Sequence, residues 1–346
     1  MKELAVGFGG QFCCRCGSFF FSPLLQSSAT SLFGIPAVLS TNRGEDAQHS
    51  HLRVKLHGDR NLAASVDRSA EDPCVRIRFC RSWATYLASV EANQVRSTFV
   101  PREALARVKR QTEGKIQEDA LQIVTLLSAS AHIAWIDFGL TGSLEGGYER
   151  ESSDVDIVVY GRENAIAVKQ AMLELIAEGV VSIPGPRSSW HVDVPFRDFL
   201  MGHTGLESSR YTEALHQSRR LYFKGLYRGR KFDLYFVDEL LSGPRLDPSK
   251  SIEVREGCEL VGEVVDGTSL LLLPSRFTLA VDGLTTPLPV YSLLNASRLL
   301  REGEGLQICG NMVREEGGEE TLVLTDGARH WVRLLTTLSL SAKSQP

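Results

Sequence analysis

The residues best equipped for chemistry lie in two short runs. The first is Gly139-Leu140-Thr141-Gly142-Ser143, and after ten intervening residues comes Asp154-Val155-Asp156-Ile157-Val158-Val159. Side chains alternate faces along a strand, so Asp154 and Asp156 share one face while Val155, Ile157 and Val159 share the other. Two carboxylates side by side on an otherwise apolar strand repel each other and lose hydration. A cation relieves both costs, and an all-oxygen donor set suits Mg²⁺ or Mn²⁺. Upstream, Gly142-Ser143 falls where a strand would turn into a helix. Glycine lets the backbone approach a ligand closely, and free N–H groups with a serine hydroxyl can grip phosphate oxygens. Neither a lone Asp-x-Asp nor a lone Gly-Ser carries weight. The combination, at this spacing, does.

Elements that would hold these runs in place are legible around them. Pro101 opens a long helical pattern at its favoured first-turn position, and Ile116, Ala120, Ile123 and Leu127 make one apolar stripe within it. Ile133 to Phe138 reads as a buried strand, followed by the glycine-rich turn and a second strand from Asp154 to Tyr160. A helix from Glu163 to Glu178 presents Val168, Met172, Leu175 and Ile176 on one face, with Gly179 placed to end it. A third strand is expected from Lys231 to Val237. Alternating helices and strands predict a layered α/β unit over residues 101–242.

The pattern Thr141-Gly142-Ser143 followed by Asp154-Val155-Asp156-Ile157 resembles the signature of the DNA-polymerase-β-like nucleotidyltransferase superfamily. The wording Gly-Leu-Thr-Gly-Ser with Ser-Asp-Val-Asp-Ile-Val-Val-Tyr-Gly is similar to that of predicted archaeal nucleotidyltransferases. The resemblance implies a mixed sheet flanked by helices, in an α/β (α+β) fold. It also implies Mg²⁺ or Mn²⁺ as cofactor, a nucleoside triphosphate as substrate, and transfer of a nucleotide to an acceptor hydroxyl with release of pyrophosphate. On it, Asp154 and Asp156 are the expected metal ligands and catalytic carboxylates, and Gly142 and Ser143 the expected nucleotide-binding pair. RNA ends, protein hydroxyls and small molecules all serve as acceptors in the superfamily. The alternative is a non-catalytic nucleotide- or RNA-binding module that retains the fold.

The resemblance also implies a third metal-binding, catalytic carboxylate on a later strand. Asp233, in Lys231-Phe232-Asp233-Leu234-Tyr235-Phe236-Val237, is preferred because its strand is long and cleanly alternating. Asp193, in Trp190-His191-Val192-Asp193-Val194, is the other candidate, its strand cut short by Pro195. Before Asp233 run Arg219, Arg220, Lys224, Arg228, Arg230 and Lys231, interleaved with Tyr222, Phe223 and Tyr227. Such a run suits a triphosphate or an RNA backbone with stacked bases, and equally a solvated loop and strand edge. Cys13 and Cys16 form a Cys-x-x-Cys without a second ligand pair at zinc-site spacing.

Composition bounds the rest. The chain has 346 residues, 43% apolar and 23% charged, with a net charge of −4, so wholesale polyanion binding is not encoded. Seven cysteines, mostly scattered, suit reduced thiols in a cytoplasmic protein. The apolar runs between residues 18 and 39 are too interrupted for a membrane span. Four regions are expected: an atypical or poorly ordered extension over 1–50, a small strand-containing region over 51–100, the nucleotidyltransferase-like unit over 101–242, and a β-rich, barrel-like accessory over 250–340. The slight tilt toward an RNA acceptor comes from this last region. Oligomeric state is not encoded.

Overall fold

The computed structural model describes residues 13–16, 19–28, 31–40, 53–55, 75–91, 97–183, 220–238, 250–325 and 329–335. The fold is mixed α/β, with helices on a mixed four-stranded sheet and a six-stranded C-terminal sheet that almost closes into a ring. The N-terminal sheet comes first in the chain: β1 (Cys13–Cys16), β2 (Phe19–Ser28), β3 (Ser31–Ser40), β4 (Arg53–Lys55), β5 (Val75–Cys80), β6 (Thr85–Glu91) and β7 (Ser97–Phe99). Its order is β5-β6-β3-β2-β1-β7, with β4 also on β3. Residues 1–50, read from sequence as an extension, thus contribute β1, β2 and β3.

Two helices follow. α1 (Pro101–Arg110) starts on proline, carries Glu103 in its first turn and Arg107, Lys109 and Arg110 in its last, and so matches its charges to the helix dipole. Gln111 is extended and Gly114 opens a new helix, so the predicted long helical pattern is divided before α2 (Lys115–Ala131). Ile116, Ala120, Ile123 and Leu127 are all buried, as the stripe requires. The strand expected over Ile133–Phe138 begins only at its last residue. Trp135–Asp137 form a 3₁₀ turn with Ile136 exposed, and β8 (Phe138–Thr141) leads straight into the short helix α3 (Gly142–Gly146). An apolar run could not by itself separate turn from strand.

β9 (Val155–Tyr160), α4 (Arg162–Ala177), β10 (Lys224–Tyr227) and β11 (Arg230–Val237) complete the central unit. Its order is β10-β11-β9-β8; β9 and β11 are parallel, and the outer pairs antiparallel. Val155, Ile157 and Val159 of β9 and Phe232, Leu234 and Phe236 of β11 enter one core with α2 and α4. The side chains that alternate with them point to the other face. Each fully buried aliphatic or phenyl group contributes about 2 kcal/mol, which fixes the register and hence the placing of every polar residue between them.

The C-terminal sheet comprises β12 (Ile252–Ser269), β13 (Ser275–Val281), β14 (Leu288–Ser292), β15 (Gly305–Glu315), β16 (Glu320–Leu324) and β17 (Trp331–Leu334), in order β12-β13-β14-β16-β15-β17 with β12 also on β15. Gly262 pairs with β13 and β15 at once, and a Cβ there would lie 2.3 Å from the Ala280 carbonyl, so only glycine fits. Leu270, Leu271 and Leu272 are buried in the turn between β12 and β13, and β14 forms with Pro289 inside it and Pro287 before it.

This sheet docks on the β11 edge where β10 ends. Arg298, buried, donates to the Leu234 carbonyl at 2.9 Å and lies 3.9 Å over the Phe223 ring, and Leu273 N–H donates to the Phe236 carbonyl at 2.8 Å. Arg220, also buried, donates to Leu299 O at 2.6 Å and forks onto the Glu304 carboxylate. Removing one partner of a buried ion pair strands the other charge. Glu304→Ala is therefore expected to cost about 3 kcal/mol or more, and the Arg220→Met, Glu304→Leu double variant clearly less. Urea denaturation of the three proteins checks the order.

Candidate active site

The central sheet brings the two sequence runs together. β8 and β9 pair Thr141 with Asp156, so the Gly142-Ser143 bend arrives beside the carboxylate rather than at a distance from it. Gly142 has φ +64°, and a Cβ on it would lie 2.3 Å from Asp156 Oδ2. Close approach and backbone conformation both demand glycine here. Ser143 sits half-buried in the first turn of α3, and Arg107 of α1 closes the far end of that helix through the Leu144 and Glu145 carbonyls at 2.6 and 3.2 Å. Within α3, Glu145 is buried and accepts from Thr141 Oγ1 at 3.0 Å.

Asp233 is the direct partner of Asp156 in the parallel β9–β11 register. Both point away from the helix-packed core, and both are half-buried. Adjacent strands lie about 4.8 Å apart, so two ionised carboxylates there repel by about 3 kcal/mol at an effective permittivity near 20. Asp154 adds a third negative charge one step before β9 begins. Two groups answer part of this charge. Lys224 Nζ lies 2.7 Å from Asp233 Oδ2, and Tyr235 donates to Asp156 Oδ1 at 3.4 Å. Burial first, then the charges of Asp156, Asp233 and Asp154, push the Tyr235 hydroxyl well above its ordinary pKa, so it stays a donor. Beyond it Val158, Tyr160, Val237 and Tyr235 form a small apolar cluster that walls the same face.

Asp233 Oδ1 remains buried with no hydrogen-bond donor among the described residues. A buried carboxylate oxygen without a donor, beside a second carboxylate, fits a divalent cation. Among the described residues no three His, Cys, Asp or Glu side chains converge into a complete cage for one. Mg²⁺ characteristically takes one or two protein carboxylates and completes its shell with phosphate oxygens and water, so the donor set matches an ion shared with a phosphate ligand. Asp193, the other candidate for the third carboxylate, lies outside the described residues, as do His191 and Arg219.

The basic run takes on a different character in three dimensions. Arg220 is consumed by Glu304, Lys224 by Asp233, Arg230 by Asp119 at 2.8 Å, and Arg228 donates to Gln122 at 3.1 Å. Tyr222 and Phe223, expected as stacking surfaces, are buried in the core, where burial pushes the Tyr222 hydroxyl up to about 12. Arg230 also donates to the Glu151 and Ser153 carbonyls at 2.5 and 2.9 Å, tying down the loop that delivers Asp154.

The sequence reading places Lys224 only in the basic run and Tyr235 only in the Asp233 strand, yet a signal for the position of each exists. Arg228 and Gly229 both have positive φ, so Tyr227-Arg228-Gly229-Arg230 is a tight two-residue hairpin turn. Pairing Tyr227 with Arg230 counts back to Lys224 opposite Asp233. Tyr235 shares the Asp233 face by simple alternation.

Comparison with protein-family models, with curated proteins and with solved structures gives no match to this chain.

The geometry carries two expected outcomes. Gly142→Ala is expected to lose about 1–3 kcal/mol, and part of that loss should vanish in an Asp156→Ala background, where the obstructing carboxylate is gone; a thermal double-mutant cycle reads the coupling. Burial works to raise the Asp119 pKa, but hydrogen bonds from Lys115 and Arg230 outweigh it and hold the carboxyl below its ordinary value. A depressed folded-state pKa contributes stability above the ordinary carboxylate range and loses it as pH falls through the folded value. Asp119→Asn should thus destabilise by about 1–3 kcal/mol at neutral pH and flatten the acid limb of urea midpoint against pH.

Proposed function

We propose that the chain is a metal-dependent nucleotidyltransferase of the polymerase-β-like type, moving a nucleoside monophosphate from a triphosphate to an acceptor hydroxyl. The observation that carries this reading is the in-register pairing of Asp156 with Asp233 directly beneath the Gly142 bend. Two neighbouring strands bring Asp156 and Asp233 to one glycine-serine turn, and a phosphate-and-metal ligand would satisfy carboxylates and turn at once.

In this reading Asp154 and Asp156 hold Mg²⁺ or Mn²⁺, and Asp233 Oδ1 supports the attacking side. When bound, such ions polarise the α-phosphate and lower the pKa of the attacking hydroxyl. Gly142 presents backbone N–H, and Ser143 its hydroxyl, to the β- and γ-phosphates, orienting the pyrophosphate to leave. Tyr235 holds Asp156 in one orientation through its protonated hydroxyl. Arg230, with Asp119, keeps the Asp154 loop from drifting. The acceptor is an open class of hydroxyl. The described cations of the basic run have internal partners, so they lend no support to RNA over a protein or a small molecule. The thiols of Cys258 and Cys309 accord with a reducing, cytoplasmic setting. Among the described residues no helix is long and apolar enough to cross a membrane.

The ion pair on Asp233 favours a second reading, a fold-retaining module that binds nucleotide without turnover. The Asp154→Asn, Asp156→Asn double variant separates the two. Under the catalytic reading it loses metal-dependent pyrophosphate release by about a thousandfold or more, while circular dichroism and unfolding midpoint stay native or rise as repulsion is relieved. Wild-type protein inert toward every labelled triphosphate, with and without added RNA, would leave only the binding module. Release undiminished in the variant would remove the carboxylate assignment.

A further inference from the structure

One close contact beside the carboxylates has no part in the catalytic reading. Lys224 faces Asp233 across the β10–β11 hairpin, with Nζ 2.7 Å from Oδ2 and side chains only 20% and 16% exposed. The ammonium occupies the space that a cation on Oδ2 would take. Arg298, buried and donating to the carbonyl next to Asp233, sets a second positive charge within electrostatic reach. Against the carboxylates of Asp154, Asp156 and Asp233 the protein therefore brings two cations of its own.

We infer that Lys224 is a positioning residue that holds the third carboxylate in place of a resident metal ion, so that the divalent cation is captured only together with the nucleotide. This role rests on the catalytic reading. The ammonium fixes the Asp233 carboxylate through Oδ2, and Oδ1 has no donor among the described residues. A bare divalent ion approaching this pair meets a like charge within contact range of its ligand. A triphosphate brings several negative charges and further oxygen donors, which outweigh the single ammonium. Metal and nucleotide binding are thus strongly coupled in this site. By linkage each tightens the other by the same factor.

Mn²⁺ titration of the full chain, followed by electron paramagnetic resonance, reads the coupling directly. It is run without nucleotide and with the non-hydrolysable α,β-methylene analogue of each nucleoside triphosphate. The wild-type chain is expected to bind Mn²⁺ at least about tenfold more tightly with an analogue than without. Lys224→Met is expected to bind nucleotide-free Mn²⁺ at least about tenfold more tightly than wild type, yet to turn over more slowly because Asp233 has lost its fixed geometry. Lys224→Arg, keeping the charge, should return both properties toward wild type. A merely structural lysine would instead lose metal affinity and turnover together on replacement. Wild-type protein that binds Mn²⁺ equally well with and without analogue, or a Lys224→Met variant with no gain in nucleotide-free affinity, overturns the inference while leaving the catalytic reading in place. Failure of wild type to bind Mn²⁺ under any of these conditions overturns both.

Discussion

Like charges on neighbouring strands are the constraint around which the central unit is organised. Asp156 and Asp233 are locked opposite each other because Val155, Ile157 and Val159 on one strand and Phe232, Leu234 and Phe236 on the next are committed to a single core. A one-residue slip of either strand would turn three apolar side chains outward and bury a carboxylate. The hydrophobic face therefore imposes the electrostatic conflict on the opposite face. The protein tempers the conflict with Lys224 and Tyr235, and leaves Asp233 Oδ1 without a described donor.

The surrounding elements serve this arrangement in distinct ways. α3 is a single short turn of helix, too brief to stand alone, and it is held by Arg107 from α1 at its far end. The loop before Asp154 is held by Arg230, itself paired with Asp119 of α2. β11 is secured on its exposed edge by Arg298 and by the Leu273 N–H from the C-terminal sheet. The C-terminal sheet is thus continuous with the frame of the site, since its leucines and those of the central sheet share one core. Chain segments more than sixty residues apart fix the strand that bears Asp233, as Leu234 to Arg298 shows.

The basic run illustrates how charge in a sequence differs from charge on a surface. Six cations with interleaved aromatics read naturally as a polyanion-binding stripe. In the fold, Tyr222 and Phe223 are both buried in the segment before β10, and the described cations Arg220, Lys224 and Arg230 each have a carboxylate partner. A cation withdrawn from water needs a partner far more than a solvated one does, and Glu304, Asp233 and Asp119 supply it to Arg220, Lys224 and Arg230. Glu304 and Asp119, 84 and 111 residues from their arginines, leave no local trace.

By itself the sequence determined what depends on short-range periodicity and residue chemistry. The stripe of α2 and the alternation of β9 and β11 follow from spacings of two to four residues, which covalent geometry turns into faces. It also marked Asp233 by the same alternation. Only the tertiary structure decided that β11 lies parallel to β9 in the register that sets Asp233 against Asp156, that Lys224 closes on it, that Ile136 is exposed while β8 begins at Phe138, and that β14 forms despite its prolines. Those outcomes are choices among long-range pairings whose local signals are alike. What separates them is how much apolar surface each pairing buries and which charges it leaves compensated, and that is a property of the packed chain as a whole.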